Sequence, residues 1–314
     1  RASRGAEEKL HGAVIGHDGR EDARSFTETA QVGLRLEALA EITAVKREKQ
    51  AAIVHDWQNK WALEGSCGPR NAGMGYWDEL KRHYNALARE GIAVEFVDQN
   101  ADLTGYGLVV VPMLYLLTDA FAKKLCAFAQ NGGTVIVTYW SGVVDESDLC
   151  RLGDTPYGLT ELLGLRRTEI DGMYDGETRR CVPSAGCTLP AALASTLCEV
   201  AALNEKDPAE PLSLYEEDYF AGHPAVAVHR YGKGRAYYLA SRFDEAFYRA
   251  FYHDAAKEIG LSPAWPEALP EGVLAVRRGS FVFVQNCTEQ PATVGNTVLE
   301  RYRTAVWKDM DRIF

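Results

Sequence analysis

Apolar positions recur along this chain in two rhythms, one helical and one of short unbroken runs, and their alternation predicts most of the architecture. From Arg20 to about Glu48 the period is helical, with Phe26, Ala30, Gly33 and Leu34 on one stripe and Val32, Leu36 and Leu39 on its neighbour. Asp22 is the expected N-cap, and the charged run Lys46-Arg47-Glu48-Lys49 marks a boundary. Beyond it, apolar strands alternate with amphipathic helices, the pattern of a parallel sheet covered on both faces. Strands are expected at Ala51 to His55, Ile92 to Val97, Leu108 to Val111 and Thr134 to Thr138. The helices between them start near Tyr76, with Gly91 as a left-handed terminator, and at Thr118, which caps a stripe of Phe121, Leu125 and Phe128.

The stretch from about Gly142 to Leu212 is mixed, and only a short helix near Tyr157 to Leu163 stands out. Order returns with Ala225 to Tyr231 and Arg235 to Ala240, joined across Gly232-Lys233-Gly234 as a hairpin, and then a closing helix from Phe243 to Ile259. Pro263, Pro266 and Pro270 read as a linker. Short alternating strands at Val273 to Arg277, Phe281 to Gln285 and Ala305 to Trp307 predict a small antiparallel unit.

Composition narrows the function. With 314 residues, 46% apolar and 25% charged, the chain is expected to fold into two or three globular domains. A net charge of -10, with its basic residues scattered among acids, excludes a nucleic-acid surface, which needs clustered Lys and Arg. No apolar run reaches the roughly 20 residues of a membrane helix. Seven cysteines, an odd number without a C-x-x-C pair, favour reduced thiols and a cytoplasmic setting over a disulfide framework. No metal or cofactor is expected.

Four stretches carry candidate chemistry. Glu8 and His11 stand three apart in a Gly-containing segment that opens without Met, so the chain reads as a portion of a longer protein. Together they offer an acceptor and a donor-acceptor suited to sugar hydroxyls, although an isolated E-x-x-H is as well explained by a surface ion pair. Trp57 and Trp61, in a loop expected after the first strand, lie where ligands bind in open parallel sheets, and suit either a sugar ring or a partner subunit. Neither Gly73-Met74-Gly75 nor Gly105-Tyr106-Gly107 sits at a strand-to-helix turn, so neither cradles phosphate. In Thr134 to Gly142 a strand meets a tight turn where a nucleophile elbow would present Ser or Cys, yet Trp140 holds that place and Ser141 is one residue off. The sequon at Asn286 reads as a chance match, and His83, His223, His229 and His253, without ligand spacing, as ordinary surface or strand histidines.

Five segments, RASRGAEEKLHGAVIGHDGR, AAIVHDWQNKWALE, ADLTGYGLVVVPMLYLLTD, NGGTVIVTYWSGVVDESD and YGKGRAYYLASRFD, together resemble the C-terminal half of glycoside hydrolase family 42 β-galactosidases. The resemblance is poor over about Leu152 to Leu212. It implies that residues 1–46 are the last strand, loop and helix of a catalytic (β/α)8 barrel, that 47–262 form an α/β trimerisation domain resembling an amidotransferase (flavodoxin-like) fold without its nucleophile, and that 263–314 form a small antiparallel β-sandwich. Glu8 and His11 would then hydrogen-bond galactose on the barrel's catalytic face. Trp57 and Trp61 would wall the site or join subunits of a homotrimer. Retaining hydrolysis uses two carboxylates about 5 to 5.5 Å apart, and the resemblance puts both upstream of this chain. Two other readings stay open: a stand-alone assembly or carbohydrate-binding module, and an amidotransferase-like hydrolase using Cys67.

Overall fold

The computed structural model describes residues 2–5, 7–46, 48–70, 73–309 and 311–313, with residues 8 and 10 as backbone alone. After a 3-10 turn at Glu7–Leu10 comes helix α1 (Arg24–Ala38) and a second 3-10 turn at Ala40–Ala44. The body then runs β1 (Ala51–Val54), α2 (Trp57–Gly65), α3 (Tyr76–Arg89), β2 (Val94–Val97), β3 (Leu108–Val111), α4 (Asp119–Gln130) and β4 (Thr134–Thr138). It continues with α5 (Thr160–Leu163), β5 (Leu165–Gly172), β6 (Arg179–Pro183), β7 (Ala192–Leu203) and β8 (Glu210–Tyr215). The hairpin strands β9 (Pro224–Tyr231) and β10 (Gly234–Leu239), then β11 (Ser241–Phe243) and α6 (Glu245–Ile259), complete it.

One large sheet organises the body, in the order β11-β7-β6-β8-β9-β10-β4-β3-β1-β2, with β5 also on β7. Strands β2, β1, β3, β4 and β10 are parallel, and from β9 onward the pairing is antiparallel. The expectation of a parallel sheet is therefore corrected, because the stretch read as mixed supplies four strands, β5 to β8, that extend the sheet with antiparallel pairing. Burial explains why the parallel half was legible: every residue of β1, β3 and β4 is buried, so each reads as an unbroken apolar or Thr-containing run. The start of α4 was legible from Thr118, whose side chain caps it, whereas α6, expected from Phe243, starts after Asp244, whose side chain caps it.

The tail forms β12 (Val273–Arg278), β13 (Phe281–Asn286), a ribbon of β14 (Ala292–Val294) and β15 (Thr297–Leu299), β16 (Thr304–Lys308) and β17 (Asp311–Arg312). Strands β12, β13, β16 and β17 make a four-stranded antiparallel sheet. Val294 and Leu299 of the ribbon share a core with Val282, Val284, Trp265 and Trp307. Asn286 is fully buried and its amide donates to the carbonyls of Gln290, Leu299 and Glu300, so it fastens the ribbon.

Helix α1 departs from expectation. Its start is capped by Ala23 without a side-chain bond rather than by Asp22, and none of its residues is buried. Val32, Leu34 and Leu36 are exposed. The following turn is what docks, with Ile42 packed against Phe281 and Val306, and Lys308 paired with Glu41 at 2.6 Å.

Candidate functional site

The C-terminal ends of the parallel strands carry the densest chemistry. Asp56 leaves β1 and caps α2, its Oδ1 accepting from the amides of Gln58 (2.9 Å) and Asn59 (3.1 Å). The segment expected as a loop is thus the first turn of a helix. Its i, i+4 spacing puts Trp57 and Trp61 on one face, ring centroids 6.2 Å apart and 53% and 61% exposed. A third indole, Trp77 from the first turn of α3, stands 6.0 Å from Trp57 and is 43% exposed. His55 packs beneath, 4.8 Å from Trp77 and 5.1 Å from Trp57. Burial lowers its pKa below the ordinary histidine value, against a smaller upward pull from Asp56, so the ring is neutral at pH 7.

Under this surface the loops are stitched by buried polar groups. Asn59 donates to Met113 O (3.1 Å) and accepts from the Leu116 amide (2.9 Å). In the turn after β4, Trp140 takes a left-handed backbone conformation at φ 59°. Trp140 N–H donates to Glu199 Oε1 (2.9 Å), and Glu199 is held in turn by Arg167 (2.8 Å) and the Tyr238 hydroxyl. Tyr115 stacks on the indole at 5.6 Å. Ser141 is buried and accepts from the Leu114 amide, which makes it a strut rather than a nucleophile. Cys67 lies past the end of α2 instead of in a strand-following loop.

A second buried group ties α3 to α6. Glu79, with no exposed surface, accepts from Tyr248 OH (2.6 Å), Tyr139 OH (3.1 Å), Arg242 Nε (2.7 Å) and His83 Nε2 (3.2 Å). Tyr252 OH closes the group at 2.5 Å from His83 Nδ1. Burial alone would raise the Glu79 pKa, but the His83 bond, the Arg242 charge and the Tyr248 hydroxyl together bring it down to about 2. Arg242 also donates to Met74 O (2.6 Å) and Gly75 O (3.1 Å), fixing the turn that starts α3 and carries Trp77. His83 is therefore a core residue, correcting its reading as a surface or strand histidine. Its signal was present as Glu79 and His83 four apart on α3, facing Tyr248 and Tyr252 four apart on α6.

In the opening segment, residues 7–10 form one 3-10 turn with His11 exposed just beyond it. The Glu8 side chain lies outside the described residues. Ala2 N–H donates to Ile15 O (2.8 Å) and His17 Nε2 lies 2.7 Å from Ser3 O, so the segment folds back on itself. Ser25 Oγ, at the start of α1, donates to Val14 O (3.4 Å), while Trp57 and Trp61 belong to the α/β body.

A sequence profile described as "Beta-galactosidase trimerisation domain" matches residues 49–262. The chain belongs to glycoside hydrolase family 42. Among family relatives, β-galactosidase BglY of Alicyclobacillus acidocaldarius is 43% identical over 94% of this chain, and GanA of Bacillus subtilis 36% identical over 94%. The chain spans about 43% of the length of each. The solved β-galactosidase of Rahnella sp. R3 superposes with a TM-score of 0.90 at 39% identity, covering 98% of this chain and 48% of that one. Gan42B, a solved family 42 β-galactosidase, gives 0.88 at 32% identity over 97% of this chain and 46% of its own length.

Proposed function

We propose that this chain is the sugar-positioning and assembly portion of a retaining β-galactosidase that removes terminal non-reducing β-D-galactose. The observation that carries the reading is family 42 similarity along 94% of the chain to proteins named as β-galactosidases. In this reading residues 1–46 close a catalytic barrel and Glu8 and His11 hydrogen-bond galactose. Residues 47–262 form the trimer-building domain, for which the profile limits of 49 and 262 speak, and 263–314 the small β unit. The acid/base and nucleophile carboxylates belong to barrel strands outside the chain. The amidotransferase-like ancestry of the body is supported by the left-handed elbow at Trp140, which keeps the backbone of a nucleophile turn while offering a side chain that cannot attack. Seven free thiols fit a reducing, cytoplasmic setting.

The test is substitution in the intact enzyme. Glu8→Ala and His11→Ala are each expected to lower kcat/KM for an aryl β-galactoside at least a hundredfold with little change in Tm. Retained kinetics would reduce both residues to structural roles.

A further inference from the structure

Ile42 is the first buried residue along the chain among those described. Helix α1 buries none of its residues, so the opening segment gains its hold on the rest of the chain from the 3-10 turn behind that helix, Ala40–Ala44. The partners of this turn come from the far end of the sequence. Ile42 packs on Phe281 of β13 and Val306 of β16, with Leu39 and Phe283 at the rim. Val45 lies against Gly279, where an added Cβ would meet its Cγ1 at 2.9 Å, and Lys308 donates to Glu41 at 2.6 Å.

The pleat of the tail sheet explains why it needs this cover. Along β13, Phe281 and Phe283 point to one face while Val282 and Val284 point to the other, and along β16 Val306 opposes Ala305 and Trp307 in the same way. The face of Val282, Val284 and Trp307 closes on Trp265 and the β14–β15 ribbon. The opposite face would set two phenylalanines and a valine in water if residues 39–45 were elsewhere, yet Phe281 is 2% and Val306 5% exposed. The turn from the start of the chain is therefore the second cover of the tail sheet.

The other side of the tail is fixed to the α/β body. Ala264 N–H donates to Gly91 O at the end of α3 (2.8 Å), an approach so close that a Cβ on Gly91 would stand 3.1 Å from that nitrogen. Arg277 donates to Ala264 O (2.9 Å), which ties β12 to the same point. Glu271 is gripped by Arg89 of α3 at 2.6 Å and by Arg249 of α6 at 3.5 Å. The stretch expected as a proline linker is thus a seat on the body.

We infer that the tail is a brace that fixes the opening segment to the α/β body, with Ile42 as the positioning residue through which it acts. The brace stands on packing alone. Its consequence for catalysis rests on the proposed β-galactosidase role, in which the braced segment carries Glu8 and His11. Hydrogen exchange of the 314-residue chain, read by mass spectrometry, tests the brace. The peptide 39–45, whose Val45 amide donates to Ile42 O (3.0 Å), should exchange at least tenfold faster in Ile42→Ser, while β1, inside the body, exchanges as in the parent. Ile42→Val should restore most of the protection, and Phe281→Ser, made from the tail side, should loosen the same peptide. Exchange of 39–45 unchanged in both Ile42→Ser and Phe281→Ser would overturn the inference. In the intact enzyme, at an oligomer mass that light scattering shows unchanged, Ile42→Ser should lower kcat/KM for an aryl β-galactoside at least fivefold and Ile42→Val should recover it. A loosened 39–45 peptide with kcat/KM unchanged would overturn the positioning role. The same loosening in an intact enzyme that hydrolyses no galactoside would uphold the brace and refute the proposed function alone.

Discussion

Replacing Glu79 by Gln should flatten the acid limb of this protein's stability curve. Glu79 is wholly buried and takes four side-chain hydrogen bonds, one from the Arg242 guanidinium at 2.7 Å. Its carboxyl is brought from an ordinary 4.5 to about 2, which corresponds to about 3 kcal/mol of stabilisation of the ionised folded state. Because the folded value lies below the unfolded one, this contribution is fully present above about pH 4.5. It is lost as pH falls towards 2, where the folded carboxyl also takes up a proton. Gln cannot titrate, so the advantage of the parent over Glu79→Gln in urea unfolding should be roughly constant from pH 7 to 5. By pH 2.5 it should have shrunk by most of those 3 kcal/mol. The complementary variant Arg242→Met strands a buried carboxylate and should cost about 3–5 kcal/mol at pH 7. Parallel stability curves for parent and Glu79→Gln between pH 7 and 2.5 would refute the assignment of a strongly favoured carboxylate at this position.

Other sites give independent checks. Asn59→Leu removes the partners of Met113 O and the Leu116 amide, which should cost about 2–4 kcal/mol in thermal or urea unfolding, and a loss under 1 kcal/mol would contradict the stitching role. Gly142 has φ 62°, and a Cβ there would meet the Tyr157 backbone nitrogen at 2.7 Å. Gly142→Ala should therefore lower Tm by several degrees or prevent folding, and an unchanged Tm would show that the elbow can open. Asn286 is buried with its amide committed to three carbonyls, so Asn286→Ala should destabilise the tail by about 2 kcal/mol in urea unfolding, and an unchanged midpoint would contradict its fastening role.

Much of the body was legible from patterning because its strands obey one simple rule. Strands β1, β3 and β4 are buried on both faces, so their sequences are continuous runs, and the hairpin at Gly232-Lys233-Gly234 carries its own turn signal. Strands β5 to β8 escaped for a physical reason. Leu165–Gly172 is exposed or half-exposed at all but its first residue, rich in charge, and shifts register between Arg167 and Glu169, which breaks a period of two. Ala192–Leu203 is long and built of small residues as readily seen in helices. Helix α2 was hidden because its Trp, Gln and Asn residues carry little helical pattern; the Asp56 cap was its one local sign.

The candidate site divides in the same way. Trp57 and Trp61 were visible as aromatics after a strand, while Trp77 joins them only through the fold, because 20 positions of chain separate it from Trp57. Glu199 and Arg167 could not be found from spacing, since β5 and β7 must pair before the carboxylate reaches the Trp140 amide. Glu8 and His11 gained meaning from family resemblance, because an E-x-x-H on a surface turn has no chemistry that spacing alone reveals.

The central claim is that this chain positions sugar and builds the assembly while the reacting carboxylates lie elsewhere. Its most direct test is the turnover of an aryl β-galactoside by the purified 314-residue chain, measured beside the intact enzyme at equal molarity. The account predicts no release of aryl alcohol above the buffer rate from the chain alone and ready hydrolysis by the intact enzyme. Saturable turnover by the chain alone, abolished by substituting a carboxylate within it, would contradict the account.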